Sequence, residues 1–178
     1  MALKATVHKL ELQISDMDRH YYATHSLTLA QHPSETDERL MARVVAFALF
    51  ADERLEFGRG LSSADEPDLW RRSRTGEIEQ WIDLGQPEES RIRKACGRAR
   101  EVIVLGYSGR AFDLWWDKNS AALARCNNLR VLDLPAADVS ALASLLQRGM
   151  RLQCLIQEGE LQLLNDSTTV NVSPNRRS

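Results

Sequence analysis

The run from Asp65 to Tyr107 limits what this chain can become more than any other stretch. Asp-Leu-Trp-Arg-Arg before Thr75-Gly76 and Glu-Ile-Glu-Gln-Trp-Ile-Asp-Leu after it are both of strand length, and Thr-Gly between such runs is a turn signal. Folding the chain there sets Asp68 and Asp83 at one end of a hairpin, each about seven residues from the turn. Carboxylates that converge in this way suit a hard divalent cation, Mg²⁺ or Mn²⁺, which takes oxygen ligands. In the second strand Ile78, Gln80 and Ile82 share one face, and Glu77, Glu79, Trp81, Asp83 and Gly85 share the other, so Asp83 is expected to reach an open cleft. Pro87 and two glutamates then open a helix in which Arg91, Lys94 and Arg98 fall on one basic stripe. Val102-Ile103-Val104-Leu105-Gly106 closes the run as a buried strand, expected parallel to its neighbour because a helix precedes it.

Upstream, Leu10, Leu12 and Ile14 alternate with polar residues, while Ala5 and Val7 alternate in the opposite phase, which predicts a bulge near His8-Lys9. Tyr21, Ala23, His25, Leu27 and Leu29 alternate again, so the first thirty residues read as an antiparallel hairpin. Ser34 is the expected cap of a helix reaching about Asp52, with Asp37 completing a capping box. Its apolar face runs from Leu40 to Ala51, with Arg39 and Arg43 toward water. Glu38 sits at the edge of that face. It is either a first-turn acid stabilised by the helix dipole or a third acid for the metal site.

Leu55 to Leu61 reads as a short strand whose glycines allow a close backbone approach, and Ser62 to Pro67 as a loop. In the next strand Arg71, Arg72 and Arg74 are expected to be solvated. Downstream, Phe112 to Arg125 is helical, with Leu114, Trp115, Ala121, Leu123 and Ala124 as its apolar surface. Leu129 to Leu134 is a strand, and a helix capped by Asp138 runs to Gln147. A hairpin turns at Glu158-Gly159-Glu160, and a frayed polar tail begins at Asn171.

Pro67-Asp68, a turn, then Asp83 on the following strand resembles the PD-(D/E)xK nuclease motif. Trp-Ile-Asp-Leu-Gly-Gln-Pro, Arg-Ile-Arg-Lys-Ala-Cys-Gly-Arg-Ala and His-Pro-Ser-Glu-Thr-Asp-Glu-Arg resemble the bacterial YaeQ family over nearly the whole chain. The resemblance implies an α/β, restriction-endonuclease-like fold, an αβββαβ core with a mixed sheet that the N-terminal hairpin and C-terminal pieces extend. It favours Glu38 as the accessory acid. Asp68 and Asp83 would hold the metal, and Arg91 and Arg98 would position phosphate. One departure stands out: the motif's lysine belongs at Gly85. Gln86 is adjacent but faces the other way on an ideal strand. Lys94, two turns into the helix, is the favoured replacement.

Length and composition fit one domain over residues 1–178, with 43% hydrophobic and 27% charged residues. The net charge of −2 gives no global attraction to nucleic acid, the expected partner, so contact would need a local patch. Three widely spaced cysteines without Cys-x-x-Cys indicate neither a zinc ribbon nor a disulfide framework, and reduced thiols fit the cytoplasm. No apolar run spans a bilayer and no signal core opens the chain. Serine-hydrolase and P-loop signatures are missing. Two functions follow as expectations: a metal-dependent nuclease, or a catalytically inactive module of the same fold that binds nucleic acid or protein.

Overall fold

The computed structural model describes residues 4–59 and 65–178. The expected end of the short strand at Gly60-Leu61 and the loop start at Ser62–Ala64 lie outside the described residues. The chain is mixed α/β, with two mixed sheets and four helices among the described residues. It packs as two compact units, Met1–Leu49 with Pro135–Pro174, and Phe50–Leu134 with Asn175–Ser178.

In the first unit, β1 (Thr6–Asp16) and β2 (Tyr21–Gln31) pair antiparallel in unbroken register from Thr6↔Gln31 to Asp16↔Tyr21. The bulge expected near His8 does not form. His8 takes the inward position in phase with Leu10, Leu12 and Ile14, and is buried. Its ring nitrogens bond the Gln147 carbonyl at 3.0 Å and Gln31 Oε1 at 2.8 Å. A polar side chain satisfied on both sides can occupy a core position, so the apparent phase switch was only a histidine facing inward.

Strands β8 (Gly149–Gln157), β9 (Glu160–Leu164) and β10 (Thr169–Val172) complete this sheet in the order β10-β9-β8-β1-β2, with β8 parallel to β1. The N-terminal hairpin therefore forms a sheet of its own with the C-terminal strands instead of extending the central one. Helix α1 (Asp37–Leu49) is capped by Thr36, whose Oγ accepts the Arg39 N–H at 3.1 Å, while Ser34 pairs with the His32 ring. Every residue from Leu40 to Ala48 is buried, Arg43 included. A helix covered all round leaves no watery side for Arg43. It bonds Glu35 at 2.7 Å and the Ala30 carbonyl at 3.0 Å, and Arg39 takes the other Glu35 oxygen at 2.7 Å. Helix α4 (Ala136–Ala143) ends earlier than its sequence suggests, and Asp138 accepts the Ser173 N–H at 3.0 Å instead of capping it.

The second unit holds a six-stranded sheet ordered β11-β7-β6-β5-β4-β3. β3 (Leu55–Phe57), β4 (Leu69–Arg72) and β5 (Ile78–Leu84) form an antiparallel meander. The β4–β5 turn contains Gly76 at φ +92, a conformation glycine adopts at no steric cost. Gly58 donates its N–H to the Asp68 carbonyl at 2.8 Å, and a Cβ there would stand 2.0 Å from the Pro67 carbonyl oxygen, the close approach its sequence context predicts.

Of the strand arginines, Arg72 and Arg74 are exposed as expected, with the Arg72 guanidinium carbon 4.2 Å from the Trp70 ring centroid, whereas Arg71 is half-buried and bonds Glu79 at 3.2 Å. Helix α2 (Glu89–Cys96) leads to β6 (Ala99–Gly106), which runs parallel to β5 and to β7 (Leu129–Asp133). Helix α3 (Arg110–Leu123) buries Phe112 and Leu123, whereas Leu114, Ala121 and Ala124 are exposed. The tail is not frayed. Val172 belongs to β10, β11 (Asn175–Arg176) pairs with Leu132 and Asp133, and Arg177 bonds Asp133 at 3.0 Å and also Asp113. Burial raises the Asp133 carboxyl above its usual range, and Arg177 draws it back.

The core here joins Trp70, Trp81, Ile92, Val102, Val104 and Phe112. A Cβ at Gly106 would fall 2.3 Å from the Phe112 ring, which is completely buried. Gly106→Ala is expected to destabilise the fold by about 2–3 kcal/mol through overpacking. A chemical-denaturation midpoint unchanged from wild type would show that the ring has room to move.

Candidate functional site: an acid–guanidinium pair beneath a basic groove

The register that pairs Leu69 with Ile82 brings Asp68 and Asp83 opposite each other one position further along. Asp68 is half-buried and its Oδ2 accepts the Leu84 N–H at 2.8 Å. Asp83 is only 3% exposed, so it lies below a groove and not in an open cleft. Its Oδ2 accepts Trp81 Nε1 at 3.0 Å and Arg91 Nε at 2.9 Å, and its Oδ1 accepts Arg91 Nη2 at 3.2 Å. The same Nη2 donates to the Glu66 carbonyl at 2.9 Å. The Asp83 hydrogen bond raises the Arg91 pKa above its ordinary value against the opposing effect of burial, and the charges of Asp83 and then Asp68 add to it. Both acids therefore act on one cation, a guanidinium.

The geometry follows from the chain path. Few residues separate the end of β5 from α2, and the parallel β5–α2–β6 crossover returns α2 over the sheet. Its first turn thus lies at the carboxyl end of β5, where Arg91 meets Asp83. Lys94 and Arg98 are exposed, and with Trp81, Glu88, Ser90, Arg91 and Ala95 they line a groove of about 370 Å³. Arg98 lies just past the end of α2, with its guanidinium carbon 5.3 Å from the Trp81 ring centroid, and that of Arg91 lies at 5.5 Å. Both are within cation–π range.

At position 85 the backbone has φ +91, while the N–H donates to the Leu105 carbonyl at 2.9 Å. A lysine there would be strained, so the turn that leaves β5 favours glycine at the motif position. Gln86 is exposed and donates to Ser108 Oγ at 2.8 Å. It is Arg91 rather than Lys94 or Gln86 whose side chain bonds the Asp83 carboxylate. Glu38 lies on α1 in the first unit, half-buried, with no side-chain hydrogen bond or ion pair among the described residues. Among the described residues no three His, Cys, Asp or Glu side chains gather as an ion would need. The donor set as it stands does not fit a resident divalent cation, because both Asp83 oxygens are engaged by a guanidinium.

Together these features describe a mixed α/β protein in which a buried aspartate holds a half-buried arginine at a cationic groove. The chain belongs to the YaeQ family, whose model, described as YaeQ protein, matches residues 1–174. It is 43% identical over 173 residues to the uncharacterized protein YaeQ of Escherichia coli strain K12, covering 97% of this chain and 96% of that one. The Salmonella typhi relative of the same name is 44% identical over 163 residues, covering 92% and 90%. The crystal structure of the YaeQ protein from Xanthomonas axonopodis pv. citri superposes with a TM-score of 0.95 at 63% identity, covering 98% of each chain. That of the YaeQ protein from Pseudomonas syringae superposes at 0.92 with 32% identity, covering 98% and 96%. None of these names assigns an activity. No helix among the described residues is long and apolar enough to cross a membrane.

Proposed function

We propose that the chain is a phosphate-recognising module of restriction-endonuclease-like topology, acting on nucleic acid in the cytoplasm, with Arg91 fixed where that fold would place a metal ion. The element order α1-β3-β4-β5-α2-β6, with β5 and β6 parallel, supports the topology. The bidentate Arg91–Asp83 pair carries the functional reading. It removes the carboxylate from cation binding and holds the floor of a groove flanked by Lys94 and Arg98. Among the described residues neither of these two exposed cations forms an ion pair, so both can meet phosphate oxygens. Trp81 is 1% exposed and cannot stack on a base. Recognition in the groove is therefore electrostatic, directed at the backbone and not at sequence.

The test is fluorescence anisotropy with labelled single- and double-stranded oligonucleotides over a salt series. Wild type is expected to bind at low salt. The Lys94→Gln/Arg98→Gln double variant is expected to lower the slope of log K against log salt by about 1.5–2. Binding with an unchanged slope would place the contact elsewhere, and an absence of binding at low salt would end the reading.

A second reading, a metal-dependent phosphodiesterase, is favoured by one observation: Asp68 and Asp83 lie one position beyond the Leu69–Ile82 pair and the charges of both act on Arg91. Its mark is Mg²⁺- or Mn²⁺-dependent cleavage that disappears in Asp83→Ala.

A further inference from the structure

Strand β2 is the outer strand of the first unit's sheet, and among the described residues β1 is the one strand it pairs with. Two bonds of β1 fix the direction of its peptide groups. Lys9 donates its N–H to the Arg148 carbonyl at 2.7 Å, and Met17 donates to the Ile156 carbonyl at 2.8 Å, so the odd-numbered residues of β1 turn their peptide groups toward β8. Lys9, Glu11, Gln13 and Ser15 stand opposite Thr28, Ser26, Thr24 and Tyr22, which makes these the non-hydrogen-bonded positions of the β1–β2 ladder. The N–H and C=O groups of those four β2 residues therefore point off the sheet. Ala30, next in the series, agrees, since its carbonyl accepts Arg43 Nη2 from α1.

The outer strands β3, β10 and β11 have three, four and two residues, whereas β2 has eleven. A long edge is ordinarily blunted by charge, proline or a bulge. The β2 sequence, Tyr-Tyr-Ala-Thr-His-Ser-Leu-Thr-Leu-Ala-Gln, holds no Asp, Glu, Lys, Arg or Pro, and its register is unbroken. Its inward side chains Tyr21, Ala23, His25 and Leu27 are half-buried, while Asp16, Ile14, Leu12 and Leu10 opposite them on β1 are buried. A strand laid beside β2 would bond the outward peptide groups and cover that inner side as well.

We infer that β2 is a docking edge for a second copy of this chain, the two β2 strands running antiparallel about a twofold axis at His25. This goes beyond the proposed function and does not depend on it. Under that axis Tyr22 faces Thr28 of the second copy and Thr24 faces its Ser26, and each pair exchanges both backbone hydrogen bonds. An aromatic ring against a β-branched residue, and Thr against Ser, are favourable cross-strand neighbours. Self-pairing also sets a charge condition, because a charged strand would lay like charges along its own seam. β2 meets it with no carboxylate, ammonium or guanidinium. The overlap from Tyr21 to Leu29 makes a seam about 31 Å long and one sheet layer of about 10 Å deep, roughly 310 Å² per copy, which belongs to the weak and reversible class.

The experiment is sedimentation equilibrium of the full chain over a micromolar to near-millimolar series, with Ser26→Pro, Thr24→Lys and Gln153→Lys alongside. Wild type is expected to show a reversible monomer–dimer equilibrium with a micromolar dissociation constant. Ser26→Pro removes an outward N–H and no bond to β1, and Thr24→Lys places a charge on the seam. Each is expected to weaken the dimer at least about tenfold with an unchanged far-ultraviolet circular dichroism spectrum. Gln153 is exposed on β8, away from the edge, and Gln153→Lys should leave the dimer intact. Amide hydrogen exchange at Tyr22, Thr24, Ser26 and Thr28 should slow as concentration rises. A chain that stays monomeric throughout would leave the edge to a strand of another protein and overturn the inference. So would a dimer that survives both edge variants, or one that Gln153→Lys alone dissociates.

Discussion

Replacing Arg91 with methionine is expected to destabilise the protein by about 3 kcal/mol, the low end of what breaking a buried pair costs, because the Arg91 side chain is still 29% exposed while that of Asp83 is 4%. The variant keeps most of the aliphatic stem and loses only the guanidinium. Asp83 is then left with Trp81 Nε1 as its one remaining partner among those described above, and the Glu66 carbonyl loses a donor. At roughly 2–4 °C per kcal/mol for a chain of this size, the thermal midpoint should fall by about 6–12 °C. Millimolar Mg²⁺ should recover part of that loss in Arg91→Met and leave wild type unmoved, because only the variant offers Asp68 and Asp83 without a resident cation. A variant as stable as wild type would mean that Asp83 does not depend on Arg91. Equal Mg²⁺ stabilisation of both proteins would mean that the guanidinium does not guard the acids.

The second large effect lies in the first unit. Glu35→Gln is expected to cost about 3–5 kcal/mol, since Glu35 is the counter-charge to both Arg39 and Arg43. The side chains of Glu35 and Arg43 are 3% and 9% exposed, so water cannot substitute for the lost carboxylate. The isosteric amide keeps the shape and removes the charge, so the measurement isolates the ion pairs from packing. Chemical denaturation followed by far-ultraviolet circular dichroism reads it. A change below 1 kcal/mol would show that Arg43 finds another satisfied position.

The same two pairs explain what could be read from the sequence and what could not. The β4–β5 hairpin was legible because Thr-Gly between two strand-length runs fixes the turn, and the turn fixes which acids oppose each other. The basic stripe was legible because helical spacing sets it. That Arg91 leaves the stripe to bond Asp83 was not legible from periodicity, which says which residues share a face but not which strand end the face covers. The short β5-to-α2 connection carried that information, since it forces the first turn of the helix onto the end of β5.

Arg43 was misplaced for a related reason. Its helix looks amphipathic in sequence, but it is covered on every side, and Glu35, just before the helix, supplies the missing partner. His8 misled in the opposite direction. A polar residue on an apolar face reads as a phase break until its two hydrogen-bond partners, far away in sequence, are known. The two sheets were invisible because β1 chooses β8 as its parallel neighbour, a pairing across most of the chain that no local pattern announces.

The most direct test of the central claim is calorimetric titration of Mg²⁺ and Mn²⁺ into wild type and Asp83→Ala, followed by incubation of each with mixed DNA and RNA. With Arg91 seated on Asp83, neither ion should give saturable heat with wild type, and nucleic acid should be retained uncut. Stoichiometric metal binding to wild type that vanishes in Asp83→Ala, together with cleavage that follows the same pattern, would contradict it.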